Sequence, residues 1–240
     1  MDVLLIPGLW LTASSWDEVV PGLRTAGLEP VALTMPGVRR GDTPPDPAMA
    51  EIGIDEWVDA VVAEIDRREE PVALVGHSGG GNVVYGAADR RPAKVSHLVF
   101  LDTFPPAHRG AISEFPVDGD TVPFPGWDFF DDDDVADLDA ETRERAMAHI
   151  GVVPRRVPTD PISLTDDRRR EIPATILTNT VFPEQIEQIR REPPEWASGL
   201  ASHGPLRTVS LRADGEASGH WPQFSKPDVV ARAIADALGR

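Results

Sequence analysis

Gly76-His77-Ser78-Gly79-Gly80 follows directly on the apolar run Val72-Ala73-Leu74-Val75. The five residues are a G-x-S-x-G pattern at the end of a strand that reads as buried. Gly79, Gly80, Gly81 and Asn82 then lead into a helix-compatible stretch to Ala88. Strand, sharp turn and helix together form the setting that lifts a serine hydroxyl above a sheet, where a base reaches it. Glycine has no Cβ, so the strand and helix on either side of the turn can approach closely. Serine is a poor nucleophile until such a base takes its proton. The bland alternative is a tight glycine turn with an inert serine. The strand and helix that flank Ser78 favour the chemical reading.

The elements that must position this turn alternate along the chain. Asp2 to Ile6 is a short apolar run ending at Pro7-Gly8. Ser15 or Asp17 caps a helix running to about Ala26, with Val19, Val20 and Leu23 on one face. Pro30 to Met35 reads as a second strand. Ile54 to Arg68 reads as an amphipathic helix with Trp57, Val58, Val61, Val62 and Ile65 as its apolar stripe. After the Ser78 turn come strands at Val95 to Leu101, Ala174 to Thr178 and Leu206 to Leu211, and a closing helix from Pro227 to Leu238. This alternation predicts an α/β fold, a mostly parallel sheet with helices on both faces.

Pro105 to Pro173 breaks the pattern. It is rich in proline, acid and aromatics, as in Phe124-Pro125-Gly126-Trp127-Asp128-Phe129-Phe130, with one helix predicted from Asp139 to Ile150. It begins at a strand's carboxyl end, where open α/β sheets bind ligands. Residues 105–173 therefore read as an inserted lid on a core of residues 1–104 and 174–240.

Composition narrows the function classes. The chain has 240 residues, 41% hydrophobic and 26% charged, which suits one soluble enzyme-sized domain. There is no cysteine, hence no disulfide, no thiolate metal site and no thiol nucleophile. Net charge is −17, so a polyanion would be repelled and no nucleic-acid partner is expected. The run Asp131-Asp132-Asp133-Asp134 reads as solvated surface in preference to a metal site. No apolar run reaches membrane-spanning length, and Met1-Asp2-Val3-Leu4-Leu5-Ile6-Pro7 lacks a basic leader. The expectation is a cytoplasmic protein with a small-molecule substrate, no membrane, no metal and no organic cofactor. Oligomeric state is not legible.

From Val3 to the last helix the chain resembles the α/β-hydrolase superfamily. Pro7-Gly8-Leu9-Trp10 stands where that family places a His-Gly-x turn. Gly76 to Gly80 is similar to its nucleophile elbow, Val99-Phe100-Leu101-Asp102 to the strand before its cap, and Ser218-Gly219-His220-Trp221-Pro222 to its catalytic histidine loop. Pro154 to Pro158 and Ile172-Pro173-Ala174 are also similar to small cofactor-free esterases related to plant methylesterases and hydroxynitrile lyases.

The resemblance assigns roles. Ser78 is the nucleophile. His220 is the base, lying after the last strand in the order serine, acid, histidine. His77, His97, His108, His149 and His203 compete with it and read as structural. The oxyanion hole needs two backbone N–H donors, expected from Gly79 and Leu9 with Trp10 as neighbour. The family's usual acid position falls at Thr178-Asn179-Thr180-Val181-Phe182, which has no carboxylate. Some members take the acid from the strand before the cap, which points to Asp102. Glu184, Asp214 and Glu216 remain alternatives, as does a serine–histidine dyad. Trp10, Trp127 and Trp221 are the expected pocket residues. The implied activity is a serine hydrolase acting on a small neutral ester or acyl compound. A lyase or cyclase on the same fold is the first rival, since fold does not fix function, and a non-catalytic binder the second.

Overall fold

The computed structural model describes residues 1–40 and 47–240. Its main sheet has β1 (Asp2–Ile6), β2 (Glu29–Ala32), β3 (Val72–His77) and β4 (Val95–Leu101). A separate antiparallel pair, β5 (Thr121–Val122) and β6 (Val153–Pro154), lies in the intervening segment. β7 (Ala174–Thr178) and β8 (Leu206–Ser210) complete the main sheet in the order β2-β1-β3-β4-β7-β8, with every pairing parallel. Parallel strands covered on both faces read as continuous apolar runs, and β3 is buried at all of its positions.

Helices α1 (Val20–Thr25), α2 (Ile54–Asp66) and α3 (Gly80–Arg90) precede the segment after β4, which contains α4 (Asp132–Val135) and α5 (Ala140–Ala146). After it come α6 (Pro183–Arg191), α7 (Ser198–Ser202), α8 (Pro222–Ser225) and α9 (Pro227–Ala237). Side chains alternate across a strand, and the two cores follow that period. Leu4, Ile6 and Leu74 pack with Trp57, Val61 and Val84 of α2 and α3. Val3, Leu5 and Val75 pack with Leu23, Val230 and Ile234 of α1 and α9.

Three elements differ from the sequence expectation. The first helix is split into a 3₁₀ turn at Ala13–Trp16 and α1 beginning at Val20. Pro21 lacks an N–H and suits a first turn, so the helix starts there and Ser15 is left buried inside the 3₁₀ turn. β2 ends at Ala32, short of Met35, because Thr34 turns its hydroxyl to accept from Ala13 N at 2.9 Å. The helix expected to reach Ile150 stops at Ala146 and tightens into a 3₁₀ turn, Met147–His149. Its start is as expected, with Asp139 accepting from Thr142 N at 2.7 Å.

The 105–173 segment is fastened over the carboxyl ends of β1 and β2. Trp10 Nε1 donates to Val122 O at 3.1 Å and Gly151 N donates to Trp10 O at 2.8 Å. Isolated bridges join Leu11 to Ile150 and Arg39 to Val152. At its far end Asp89 of α3 accepts from Thr165 N, Asp166 N and Arg169. Among the described residues, no helix is long and apolar enough to cross a membrane, and no cluster of His, Asp or Glu side chains is arranged to hold a metal ion.

Candidate active site

The turn after β3 places Ser78 in the left-handed region at φ 51°. That conformation strains a residue with a Cβ. The surroundings enforce it: Ser78 N donates to Leu101 O at 3.1 Å, and Gly81 N donates back to Ser78 O at 2.8 Å as α3 begins. The glycines are sterically required. A Cβ on Gly76 would stand 2.5 Å from Gly80 O, and one on Gly80 would stand 2.6 Å from both Ile6 O and Pro7 O. Ser78 is thereby partly exposed above the carboxyl edge of the sheet.

His220 reaches it from the loop between β8 and α8. Its Nε2 lies 2.7 Å from Ser78 Oγ, and its Nδ1 lies 2.7 Å from Asp102 Oδ2. The carboxylate can only accept, so Nδ1 carries the proton and Nε2 is free to accept from the serine hydroxyl. Asp102 sits at the end of β4, also left-handed at φ 48°, with its side chain 1% exposed. Its Oδ1 accepts from Asn179 N at 2.7 Å and Thr180 N at 2.9 Å, and both oxygens accept from Thr180 Oγ1. Burial pushes this carboxyl up, but His220 and the two backbone donors outweigh it and leave it below the ordinary carboxylate range. For His220, burial disfavours the imidazolium. The hydrogen bond and charge of Asp102, with Asp134 adding, prevail and raise it above an ordinary imidazole.

The other candidates lie elsewhere. Glu184 is an exposed residue in the first turn of α6, and Asp214 and Glu216 are exposed, with Glu216 accepting from Ala213 N. His97 bonds Thr175 Oγ1, His108 accepts from Leu164 N, His149 bonds Ser14 Oγ, and His203 donates to Ile172 O. His77 is buried below the serine, where its Nε2 donates to His220 O at 2.7 Å. Burial and the neighbouring His220 bring its pKa down to about 3, so it stays neutral and serves as a fixed donor under the loop.

Two cavities meet at Ser78 and His220, with Ile112 on the wall of both. One, of about 470 Å³, is lined by Gly79, Asn82, Thr103, Phe104 and Trp196. The other, of about 300 Å³, is aromatic, with Leu9, Trp10, Phe115, Phe130 and Trp221. Leu9 and Gly79 adjoin, since a Cβ on Gly79 would stand 3.3 Å from Leu9 Cγ. Trp10 and Trp221 line the aromatic cavity. Trp127 does not: it packs edge-on against Phe124 and Trp221, one layer behind the wall. The acidic run also differs from expectation at one position. Asp131, Asp132 and Asp133 are exposed, but Asp134 is partly buried in the aromatic wall and its carbonyl accepts from His220 N at 2.6 Å. Burial pushes its carboxyl up. Phe115, Phe130, Ile112 and Asp134 carry no periodic signal in sequence, and only their membership of the aromatic, acidic segment pointed their way.

Residues 3–233 match the alpha/beta hydrolase family. The chain belongs to that family. It is 34% identical over 108 residues to a carbendazim hydrolyzing esterase of Nocardioides sp. (strain SG-4G), an alignment covering 45% of this chain and 43% of that protein. The match thus spans less than half of that relative's length. A pyrethroid hydrolase of Sphingobium wenxiniae (strain DSM 21828 / CGMCC 1.7748 / JZ-1) is 27% identical over 261 residues, covering 98% of this chain and 86% of that protein. Among solved structures, an extracellular alpha/beta-hydrolase from a Paenibacillus species superposes with a TM-score of 0.74 at 19% identity, covering 99% of this chain and 98% of that one. The α/β-hydrolase fold expected from the elbow and the histidine loop is the fold of the chain.

Proposed function

We propose that this chain is a serine hydrolase that cleaves a small ester through an acyl-enzyme. The observation that carries the reading is the unbroken row Ser78–His220–Asp102, each link 2.7 Å, with the serine held in a left-handed turn. Relatives named as esterase and pyrethroid hydrolase support it.

Ser78 Oγ attacks the ester carbonyl while His220 Nε2 takes its proton. Asp102 holds the tautomer with the proton on Nδ1 and stabilises the imidazolium that forms. The developing oxyanion is held by the N–H groups of Leu9 and Gly79. Pro7, where the family places histidine, does not alter the Leu9 donor. His220 then gives its proton to the departing alcohol. It next activates a water that releases the acid and frees Ser78. The two cavities that meet at Ser78 accommodate the two sides of the ester, and the 105–173 segment acts as the lid that walls them.

A serine-directed fluorophosphonate should add one covalent mass, on the peptide containing Ser78. Ser78→Ala should abolish both the label and ester turnover. Labelling at another serine, or labelling of Ser78 with no acid released from any short-chain ester, would overturn the hydrolase reading.

A further inference from the structure

Asn179 occupies the position where the family most often carries its acid, and it is fully buried. Its backbone N–H donates to Asp102 Oδ1 at 2.7 Å. Its side-chain Nδ2 points the other way and makes two donations, to Gly219 O at 2.7 Å and to Asp137 Oδ2 at 2.9 Å. One residue therefore touches both ends of the Asp102–His220 contact: the carboxylate itself, and the carbonyl immediately before His220.

Asp137 comes from the 105–173 segment and grips the same loop. Its backbone N–H donates to Ser218 O at 2.9 Å, and its Oδ2 also accepts from Ser225 Oγ at 2.7 Å. Its Oδ1 is buried, with no hydrogen-bond partner among the described residues, and a Cβ on Gly219 would stand 1.7 Å from it. The carboxylate thus lies directly on the backbone of the histidine loop and admits only glycine there. Ser218 Oγ to Asp133 O at 2.7 Å and His220 N to Asp134 O complete the attachment.

We infer that Asn179 and Asp137 form a positioning pair, which sets the height and angle of the His220 loop over Ser78 and links that setting to the docking of the 105–173 segment. The inference rests on the hydrolase reading for its rate consequences, but the geometry it describes does not depend on turnover. Asparagine is required in place of aspartate at 179 because the loop presents a carbonyl and a carboxylate to it. Both are acceptors, and only an amide NH₂ donates to both. An aspartate there would lose both donations and face Asp137 at hydrogen-bond distance as a like charge.

Asn179→Asp and Asp137→Asn are the deciding variants, since both keep side-chain volume. Asn179→Asp should lower kcat by about 10²-fold, the scale of a small misplacement of a catalytic group, with KM for p-nitrophenyl acetate little changed. The pH midpoint of kcat/KM should move with it, because the Asp102 contact that raises His220 is displaced. Asp137→Asn keeps an acceptor for Asn179 and should stay within a few-fold of wild type, whereas Asp137→Ala should fall with Asn179→Asp. In proton NMR, the downfield resonance of His220 Nδ1–H on Asp102 should move or vanish in Asn179→Asp and persist in Asp137→Asn. Thermal melting of each variant separates misplacement from unfolding. An Asn179→Asp variant that keeps wild-type kcat, pH profile and Nδ1–H resonance would overturn the inference, as would a gain in activity from placing an acid at the family's usual position. Should wild type itself turn over no ester and take no fluorophosphonate label, the hydrolase reading fails. The resonance then still decides the positioning role.

Discussion

The sheet and the 105–173 segment share one apolar core but are built differently. The strands of the sheet bury apolar side chains on both faces and pair in parallel over four to six residue pairs, with one register shift at Val72/Ala73 against β4. The segment has one two-stranded pair of two residues each, short helices and a cluster of aromatic rings. Polar pins fasten it, Trp10 to Val122, Asp89 to Arg169 and Asp137 to the histidine loop, beside apolar anchors such as Val153, Val157 and Ile162 that are buried in the same core as Trp57 and Val58. The difference teaches where each task is placed. Groups that need sub-ångström placement sit at the ends of β3 and β4. Groups that shape the aromatic cavity, Phe115 and Phe130 among them, sit on the segment. His220 is reached by both.

The largest expected effect that would break this division lies at the sheet. Asp102→Asn should keep the fold but cut kcat by about 10⁴-fold, the loss seen when the orienting carboxylate of a serine triad is neutralised. It should also move the pH profile. In the wild type the base must be neutral and its pKa is raised, so kcat/KM should climb through a midpoint above the ordinary imidazole range. Removing the Asp102 charge should shift that midpoint to lower pH. A loss below tenfold, or an unmoved midpoint, would place the orienting acid elsewhere.

The next effect tests the pins. Asp89 and Arg169 are 5% and 3% exposed and bonded at 2.9 Å. Truncating one partner of a buried pair leaves an unpaired charge, which costs about 3–5 kcal/mol. Arg169→Ala should therefore lower the melting temperature substantially and loosen the segment, while fluorophosphonate still labels Ser78 in the remaining folded fraction. Equal loss of labelling and of fold would erase the distinction between the two regions.

The smallest effects sharpen the comparison within the segment. Phe130 lines the aromatic cavity and Trp127 stands behind it. Phe130→Ala should change the ratio of turnover between short- and long-chain or aryl esters. Trp127→Ala should chiefly lower the melting temperature, as a large-to-small change in a packed cluster does. Asp132→Ala, at an exposed position, should do neither. A Trp127→Ala variant with the larger change in acyl-length profile would mean that the ring behind the wall governs the cavity.

The elbow was legible because sterics dictate it: α3 approaches β3 at Gly76 and the end of β1 at Gly80 so closely that neither position has room for a Cβ, and sequence and geometry coincide. His220 was legible for a related reason, standing on the loop that the last strand delivers to the sheet's carboxyl edge. Asp102 could be named only as one candidate among several. Its selection depends on Asn179 N and Thr180 N, donors contributed by a turn 77 residues away that no local pattern reveals. The segment was least legible. Its helices are too short for a hydrophobic period, so Trp127 could not be told from Phe130, and Asp134 and Asp137 could not be told from their solvated neighbours. Asn179 read as a missing acid, because an amide that serves two acceptors leaves no signature without knowing what it faces.

Trp10, Ser78 and Asp102 share a backbone feature: each is a non-glycine residue at positive φ, standing after β1, at the end of β3 and at the end of β4. Each such position holds about 1–3 kcal/mol of strain. At Ser78 glycine would relieve that strain and remove the proposed nucleophile, so robustness and chemistry pull this site in opposite directions. Trp10 and Asp102 differ: glycine at 10 forfeits a buried ring and its bond to Val122 O, and glycine at 102 leaves Asn179 N and Thr180 N without their acceptor, losses larger than the strain relieved. A library of this chain selected for heat resistance alone should enrich glycine at position 78 while holding Trp10 and Asp102, and its most durable members should be its least reactive. Selection for turnover at moderate temperature should hold the serine in place, at a standing cost in melting temperature.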